Sequence, residues 1–139
     1  MKRALGLDIG RVRIGVALSD PLGAFAQGID VLDAEKDWMV LVRDMVRERE
    51  VGVVVVGIPI NTDGSRGPEA ERILGIIERL RETIGDEAVE IVPWDERFTT
   101  VLAERALVEG DLSRRRRKGV VDKVAASFIL QSFLESRRS

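Results

Sequence analysis

The feature that most constrains the fold is VGVVVVGI, an almost unbroken apolar run over residues 51–58. A strand that faces water on one side alternates polar and apolar residues. A parallel strand that is covered on both faces reads instead as a continuous apolar run. Residues 51–58 therefore predict a buried parallel strand with helices on both faces of its sheet, which places the chain in the α/β class.

The segments around this run alternate between strand and helix patterns. Strand patterns occupy residues 4–9, 11–19, 24–32 and 89–94. Apolar residues at helical spacing occupy residues 37–49, the segment from Pro68 onward, the segment from Thr99 or Thr100 to about Glu109, and residues 120–135. With right-handed βα crossovers, this order predicts one domain over residues 1–139, built as a five-stranded mixed sheet with helices on both faces.

In three segments, the pattern of apolar residues predicts which side chains face inward. In the first strand, Leu5, Leu7 and Ile9 share one face, and the other face carries Ala4, Gly6 and Asp8, which leaves space around a single carboxylate. The second strand is expected to bury Val12, Ile14, Val16 and Leu18. The last helix is expected to bury Val121, Val124, Ala125, Phe128 and Ser132.

Two missing residue types limit the chemistry. The 139 residues include no cysteine and no histidine, which excludes disulfides, thiolate or histidine zinc sites and Ser-His-Asp triads. A metal site would have to use oxygen ligands, which favours Mg²⁺ or Mn²⁺. The sequence contains neither a signal-peptide pattern nor an apolar run of about 18 residues, so we expect a cytoplasmic protein that does not enter a membrane.

Acidic residues lie at positions where the functional residues of α/β proteins usually cluster. Asp8 ends the first apolar strand, Asp95 and Glu96 end the fifth, and Asp122 opens the last helix. Each alone is more simply interpreted as a polar strand end or a helix N-terminus. Because the carboxyl ends of parallel strands meet at one edge of the sheet, the acids are expected to converge there.

Positive charge is concentrated in one run, although the net charge of the chain is −2. Arg114, Arg115, Arg116, Arg117 and Lys118 are consecutive. The run is either a solvated surface segment or an arm that contacts phosphates, because local patches govern nucleic-acid affinity. We expect residues 110–119 to form a mobile loop that becomes ordered on a nucleic-acid backbone.

Four segments together resemble one known family. They are GLDIGRVRIGVALSD, VVVGIPINTDGSRGPEA, WDERFTT and DKVAASFILQSFL, and in this order they resemble the YqgF/RuvX family of pre-16S rRNA nucleases related to Holliday-junction resolvases. The resemblance covers nearly the whole chain. It implies a ribonuclease H-like fold and a cytoplasmic, metal-dependent nuclease that processes the 5′ end of immature 16S rRNA, with precursor rRNA or the immature small ribosomal subunit as partner.

The resemblance also implies which acids bind metal and catalyse. Asp8, Glu96 and Asp122 match the family's acids, and Asp95 is held in reserve for Glu96. The resolvase relatives carry an acid at the end of the fourth strand, where this chain has Gly57, Ile58 and Pro59. An acid from the fifth strand starts roughly 10 Å to the side, at about 4.8 Å per strand. A Glu side chain is expected to close that gap only in part, which predicts a looser metal site.

The remaining candidates are polar and basic residues that could bind phosphate. They are Arg97, Thr99, Thr100, Asn61, Lys123 and the basic run Arg114, Arg115, Arg116, Arg117 and Lys118. The loop around Asn61 could equally be a plain connection, and Lys123 could serve only to solvate its helix.

Other functions remain open at this point. One is an endonuclease for Holliday junctions or other structured nucleic acids, and another is a non-catalytic RNA-binding factor of ribosome assembly. An actin-like ATP-binding domain is disfavoured, because such proteins need two lobes. The sequence leaves open whether the substrate is RNA or DNA and whether cleavage is internal or terminal, and monomer is the default oligomeric state.

Overall fold

The computed structural model describes residues 2–98 and 114–137, without the side chains of residues 98 and 114–121. The strands are β1 (Arg3–Ile9), β2 (Arg13–Ser19), β3 (Ala26–Asp33), β4 (Val51–Ile58) and β5 (Glu90–Asp95). The helices are α1 (Trp38–Glu48), α2 (Pro68–Ile84) and α3 (Arg114–Ser136), and a 3-10 turn follows β5 over Glu96–Phe98. The helix predicted from Thr99 or Thr100 to Glu109 lies outside the described residues.

The five strands form one mixed sheet in the order β3-β2-β1-β4-β5. β1 pairs antiparallel with β2 and parallel with β4, β2 pairs antiparallel with β3, and β4 pairs parallel with β5. The prediction of a five-stranded mixed sheet with a parallel β1-β4-β5 unit is confirmed. Asp8, near the end of β1, therefore lies on the central strand.

Helices cover the sheet on both sides, and β1 divides its side chains between them as predicted. Leu5, Leu7 and Ile9 are buried in the larger core with residues of α1 and α2. Ala4, on the opposite face, is buried against α3 together with Ala126, Ile129 and Leu130. At Gly6, a Cβ atom would lie 2.7 Å from the Cβ of Leu130, so the glycine lets α3 approach the sheet closely.

Val12 departs from the predicted pattern of the second strand. It is 64% exposed, whereas Ile14, Val16 and Leu18 are buried as expected. The reason is local, since the amide of Gly10 donates to the carbonyl of Arg13 across 2.9 Å and closes a turn that contains Val12. The strand therefore begins at Arg13.

The last helix begins earlier than predicted and turns a different face to the sheet. Its backbone is helical from Arg114, so a loop over residues 114–119 was a wrong prediction. Arginine and lysine are good helix formers, and repulsion between like charges on a helix costs only a few tenths of a kcal/mol per pair. The buried stripe is Ala126, Ile129, Leu130, Phe133 and Leu134, one position on from the predicted stripe.

No helix in the described part of the chain is long and apolar enough to cross a membrane.

The close approach of α3 to β1 predicts that Gly6→Ala lowers the free energy of unfolding by about 1–3 kcal/mol, the usual cost of overpacking. The added Cβ would meet the Leu130 Cβ at 2.7 Å and the Ala126 carbonyl oxygen at 3.0 Å. Gly75→Ala is the control, because it lies in α2 with no atom within 4 Å of the new Cβ, and it should add about 0.5–1 kcal/mol. Urea denaturation measures both, and an unchanged Gly6→Ala stability would refute the close contact.

Candidate active site

Asp8 and Asp122 are brought together where α3 crosses the sheet. Asp8 pairs with Gly15 across the β1–β2 ladder. The backbone carbonyl of Asp122 rests on Gly15 so closely that a Cβ there would lie 2.0 Å from its oxygen. The helix is thus fixed over β2 beside Asp8, and the charge of Asp122 acts on the Asp8 carboxyl.

Glu96 reaches Asp8 from the far side of β4. It lies in the 3-10 turn after β5, and its side chain passes over Gly57, where a Cβ would lie 2.7 Å from the Glu96 Oε1. The β1–β4 register ends at Leu7 and Val56, which places Asp8 next to Gly57. Glu96 and Asp8 are hydrogen-bonded to each other. The expectation that glutamate would close the gap only in part is therefore wrong.

The Asp8–Glu96 pair holds a proton in the neutral pH range. Burial, followed by the charge of Asp122, raises the pKa of Asp8 to about 6. Burial, followed by the nearby charge and hydrogen bond of Asp8, raises the pKa of Glu96 to about 7. The two carboxyls therefore favour sharing a hydrogen-bonded proton, because ionisation of one carboxyl disfavours ionisation of the other.

Asp122 points to a different partner. Its Oδ2 accepts a hydrogen bond from Nε of Arg13 across 3.0 Å. Burial raises the pKa of Asp122, and the Arg13 hydrogen bond and charge oppose that shift. Over the described residues, no three acidic side chains gather closely enough to hold a metal ion as they stand.

The donor set nevertheless fits a divalent cation. Asp8 and Glu96 offer buried carboxylate oxygens of the kind that Mg²⁺ and Mn²⁺ prefer. They share a proton that a cation could replace, since metal ligands must be deprotonated. Asp122 lies beside them with its Oδ2 held by Arg13.

Asp95 faces away from this group, so Glu96 is the acid of the pair that reaches Asp8. The Asp95 carboxylate accepts hydrogen bonds from Nη2 and Nε of Arg97 across 2.6 and 2.9 Å. The hydrogen bonds and charge of Arg97 lower the pKa of Asp95.

Arg97 also joins the turn after β5 to the loop after β4. Its Nη1 donates to the carbonyl of Asn61 across 3.4 Å, and the amide side chain of Asn61 donates to the hydroxyl of Ser65 across 3.0 Å. A cavity of about 260 Å³ lies between this loop and β5, with Arg66 and Arg97 in its wall. Arg97 and Asn61 are thus adjacent, and their role in phosphate binding stays a prediction.

The other predicted phosphate ligands lie apart or outside the described structure. Lys123 is exposed and its backbone packs on Gly28 of β3, where a Cβ would lie 3.0 Å from the Lys123 carbonyl oxygen. The basic run Arg114, Arg115, Arg116, Arg117 and Lys118 is described only as helical backbone at the start of α3. Thr99 and Thr100 lie outside the described residues.

Sequence reasoning missed Arg13, Gly15 and Gly57. Arg13 pairs with Asp122, Gly15 admits the Asp122 backbone, and Gly57 admits the Glu96 side chain. The signal for the first two was strand alternation, because Arg13 and Gly15 share the face of the sheet that carries Asp8. Gly57 had a weaker signal, because it is one of two glycines, with Gly52, in an otherwise apolar strand.

Solved structures share this fold. The fowlpox virus resolvase in complex with substrate Holliday junction DNA superposes with a TM-score of 0.61 at 17% identity, covering 99% of both chains. RuvC of Thermus thermophilus in complex with a Holliday junction substrate gives 0.60 at 15% identity, covering 99% of this chain and 96% of the other. The fold is thus ribonuclease H-like.

Sequence relatives fix the class and the family. A 47% identical protein of Clostridium acetobutylicum, covering 96% of this chain and 98% of its own, is named "Putative pre-16S rRNA nuclease". A 48% identical protein of Halothermothrix orenii, covering 95% and 94%, carries the same name. With the fold and the acidic site, these relatives define a hydrolase that acts on nucleic acid. The chain belongs to the RuvX family, described as Holliday junction resolvase, whose profile matches residues 2–136.

The raised pKa values predict an unusual pH dependence of stability. Asp8 and Glu96 bind protons more tightly in the folded chain, with ordinary values of 3.8 and 4.5 raised to about 6 and about 7. Their contribution to stability is therefore complete below about pH 4 and is lost as the pH rises through 6 and 7. Asp8→Asn should raise the free energy of unfolding of the metal-free protein at pH 8, by up to about 3 kcal/mol at about 1.4 kcal/mol per pKa unit.

Asp95→Asn is the matched control for this measurement, because the pKa of Asp95 is lowered by Arg97. It should reduce stability about equally at pH 5 and pH 8, because the contribution of a carboxyl with a lowered pKa is lost only below its ordinary value of 3.8. Urea denaturation in EDTA at pH 5 and pH 8 tests both variants. An Asp8→Asn protein no more stable than wild type at pH 8 would contradict the buried acid pair.

Proposed function

We propose that this nuclease is metal-dependent, with Asp8, Glu96 and Asp122 as ligands of Mg²⁺ or Mn²⁺. The observation that carries the proposal is the buried, hydrogen-bonded Asp8–Glu96 pair at the carboxyl edge of the central strand. Two acids that face each other in a buried site destabilise the fold when both are ionised. A site of this kind is accounted for by a cation that needs both carboxylates.

The chain's own residues would position the reaction. A bound divalent cation activates water and stabilises the developing charge on phosphate oxygens. Asp8, on the central strand, interacts with both other acids and would hold the cation together with them. Glu96 is held in reach by Gly57, and Asp122 by the contact of α3 with Gly15. Burial at the sheet edge strengthens these interactions by excluding water.

The substrate we propose is immature 16S rRNA, processed at its 5′ end in the cytoplasm, with the free rRNA or the immature small subunit as partner and the chain acting as a monomer. The names of relatives that are 46–48% identical over 95–96% of the chain support this choice. A Holliday junction or another structured nucleic acid is the second candidate, favoured by the description of the family.

A cleavage assay tests both substrates with the full chain. The substrates are 5′-end-labelled precursor 16S rRNA, a four-way DNA junction, and single-stranded RNA and DNA, each with Mg²⁺, Mn²⁺ or EDTA. We expect cation-dependent cleavage of the precursor rRNA near the mature 5′ end. Cleavage of the junction alone would replace the first candidate by the second. Saturable RNA binding without cleavage under any cation would refute the nuclease proposal.

Removing either buried acid should abolish cleavage. Asp8→Asn and Glu96→Gln should each reduce the rate by about 10²–10³-fold or more, the usual cost of losing one group that stabilises transition-state charge. Asp95→Asn is the control, because Asp95 pairs with Arg97 and not with Asp8, and it should retain most of the activity. Mg²⁺ should raise the Tm of wild type and not that of Asp8→Asn, because only a native-state ligand stabilises the fold. Equal activity of Glu96→Gln and wild type would exclude Glu96 as a ligand.

Neutralising the basic run should weaken binding without changing specificity. Replacing residues 114–118 with glutamine keeps good helix formers and removes five positive charges. Affinity should fall alike for RNAs of unrelated sequence, because phosphate contacts carry no base information. The log–log salt dependence of affinity should flatten by roughly 0.7–0.9 for each phosphate that the run no longer binds. Parallel salt plots for the two proteins would mean that the run is only a solvated surface.

A further inference from the structure

Arg13 is a cation paired with Asp122, one of the three acids of the candidate site. It opens β2 two residues before Gly15, so its side chain leaves the sheet on the face that carries Asp8. Its Nε donates to the Asp122 Oδ2 across 3.0 Å, and the two side chains are 36% and 22% exposed. The guanidinium thus engages one oxygen, Oδ2, of a carboxylate that a metal ion would need.

The fold holds this ion pair in place from both sides. Asp122 is fixed over β2 because its carbonyl rests on Gly15, and the next residue, Lys123, rests on Gly28 of β3. Arg13 is fixed at its backbone by the β2–β3 pairing with Asp33. The two charged groups therefore face each other because of the packing of α3 on the sheet, which distinguishes them from a chance pair of long surface side chains.

A divalent cation and Arg13 cannot both use Asp122 without repelling each other. A guanidinium in hydrogen-bond contact with a carboxylate oxygen lies within a few ångströms of any ion on that carboxylate, where like charges repel strongly. Arginine displaced from Asp122 would carry five donors in a planar fork, the geometry that matches a phosphate.

We propose that Arg13 exchanges partners during the reaction cycle: it neutralises Asp122 in the free protein and binds a backbone phosphate of the nucleic acid once a divalent cation takes Asp122. The substrate half of this exchange rests on the proposed nuclease function. Cation binding then prepares the phosphate site, and by linkage the nucleic acid tightens cation binding in return. Arg13 is in this sense both a competitor of the metal and a ligand of the substrate.

The competition is tested without nucleic acid. Titration calorimetry of the full chain with Mn²⁺ should give an affinity about two- to fivefold tighter for Arg13→Gln than for wild type, the factor that corresponds to a partly exposed ion pair. This gain in Mn²⁺ affinity should vanish in an Asp122→Asn background, because the carboxylate for which Arg13 and the cation compete is absent there. Arg43→Gln is the matched control, because Arg43 is also partly exposed and paired with its own aspartate on α1, and it should bind Mn²⁺ as wild type does.

The phosphate contact is tested by the salt dependence of binding. A labelled single-stranded RNA and a four-way DNA junction are each titrated with protein over a range of salt, in Ca²⁺ and in EDTA. With Ca²⁺, the log–log slope of Arg13→Gln should be shallower than that of wild type by about 0.7–0.9, which is one phosphate contact. In EDTA the two slopes should be equal, because Arg13 remains on Asp122. Arg13→Lys, which keeps the charge, should restore part of the slope.

Each outcome of these measurements supports or overturns the proposed exchange of partners by Arg13. Equal Mn²⁺ affinity of wild type and Arg13→Gln overturns it, as does a slope difference of the same size in Ca²⁺ and in EDTA. If Arg13→Gln fails to fold, as judged by its Tm in EDTA, the same comparisons are made with Arg13→Lys. This variant should also bind Mn²⁺ more tightly than wild type, because lysine lacks the Nε–H that donates to Asp122. The calorimetry contains no nucleic acid, so absence of cleavage would refute the proposed function and leave the competition for Asp122 standing.

Discussion

The close packing of α3 on glycines of the sheet is the contact on which the rest of the site depends. Gly6 on β1, Gly15 on β2 and Gly28 on β3 each lie so near the helix that a Cβ would fall within 3.0 Å of one of its atoms. A helix held off by ordinary side chains would sit farther from the strands, since helix packing distances grow with the side chains at the contact. Asp122 would then be lifted away from Asp8. The three glycines thus let α3 pack close to the sheet, and this close packing determines where the Asp122 carboxylate lies.

The same packing creates an electrostatic conflict that the fold must tolerate. Burial raises the pKa values of Asp8 and Glu96 to about 6 and about 7, with the charge of Asp122 adding to the first shift and that of Asp8 to the second, and Arg13 neutralises Asp122. A proton on one side and a guanidinium on the other therefore stabilise the acids in the free chain. The apolar core on the other face of the sheet, with β1 and β4 at its centre, offsets what remains of the cost.

Most of the architecture could be predicted from periodicity, and the exceptions have physical causes. The continuous run of β4 and the divided faces of β1 were predicted correctly because each pattern admits one arrangement. The buried stripe of α3 was misplaced by one position, because Val124, Ala125 and Phe128 form a second apolar stripe beside Ala126, Ile129 and Leu130. The start of α3 was missed because helices were located from apolar residues at helical spacing, and a run of arginines contains no apolar residue.

The acidic residues of the candidate site could be predicted from the sequence. The residues that they contact could not. Strand ends indicated Asp8 and Glu96, but the reach of Glu96 depends on a side chain that is missing at Gly57. The partner of Arg13 lies 109 residues away in the sequence, and no local pattern indicates it.

Gly57 also limits how a site of this kind could change over evolution. A carboxylate side chain at position 57 would occupy the volume that the Oε1 and Cγ of Glu96 now fill, 2.7 and 3.0 Å from where its Cβ would stand. The second acid can therefore come from β4 or from the turn after β5, and a chain that carried both would have to move the Glu96 side chain off Gly57. A lineage that moved the acid from one strand to the other would have to rearrange this contact. The two arrangements are alternative solutions on one scaffold, separated by a steric contact at a single residue.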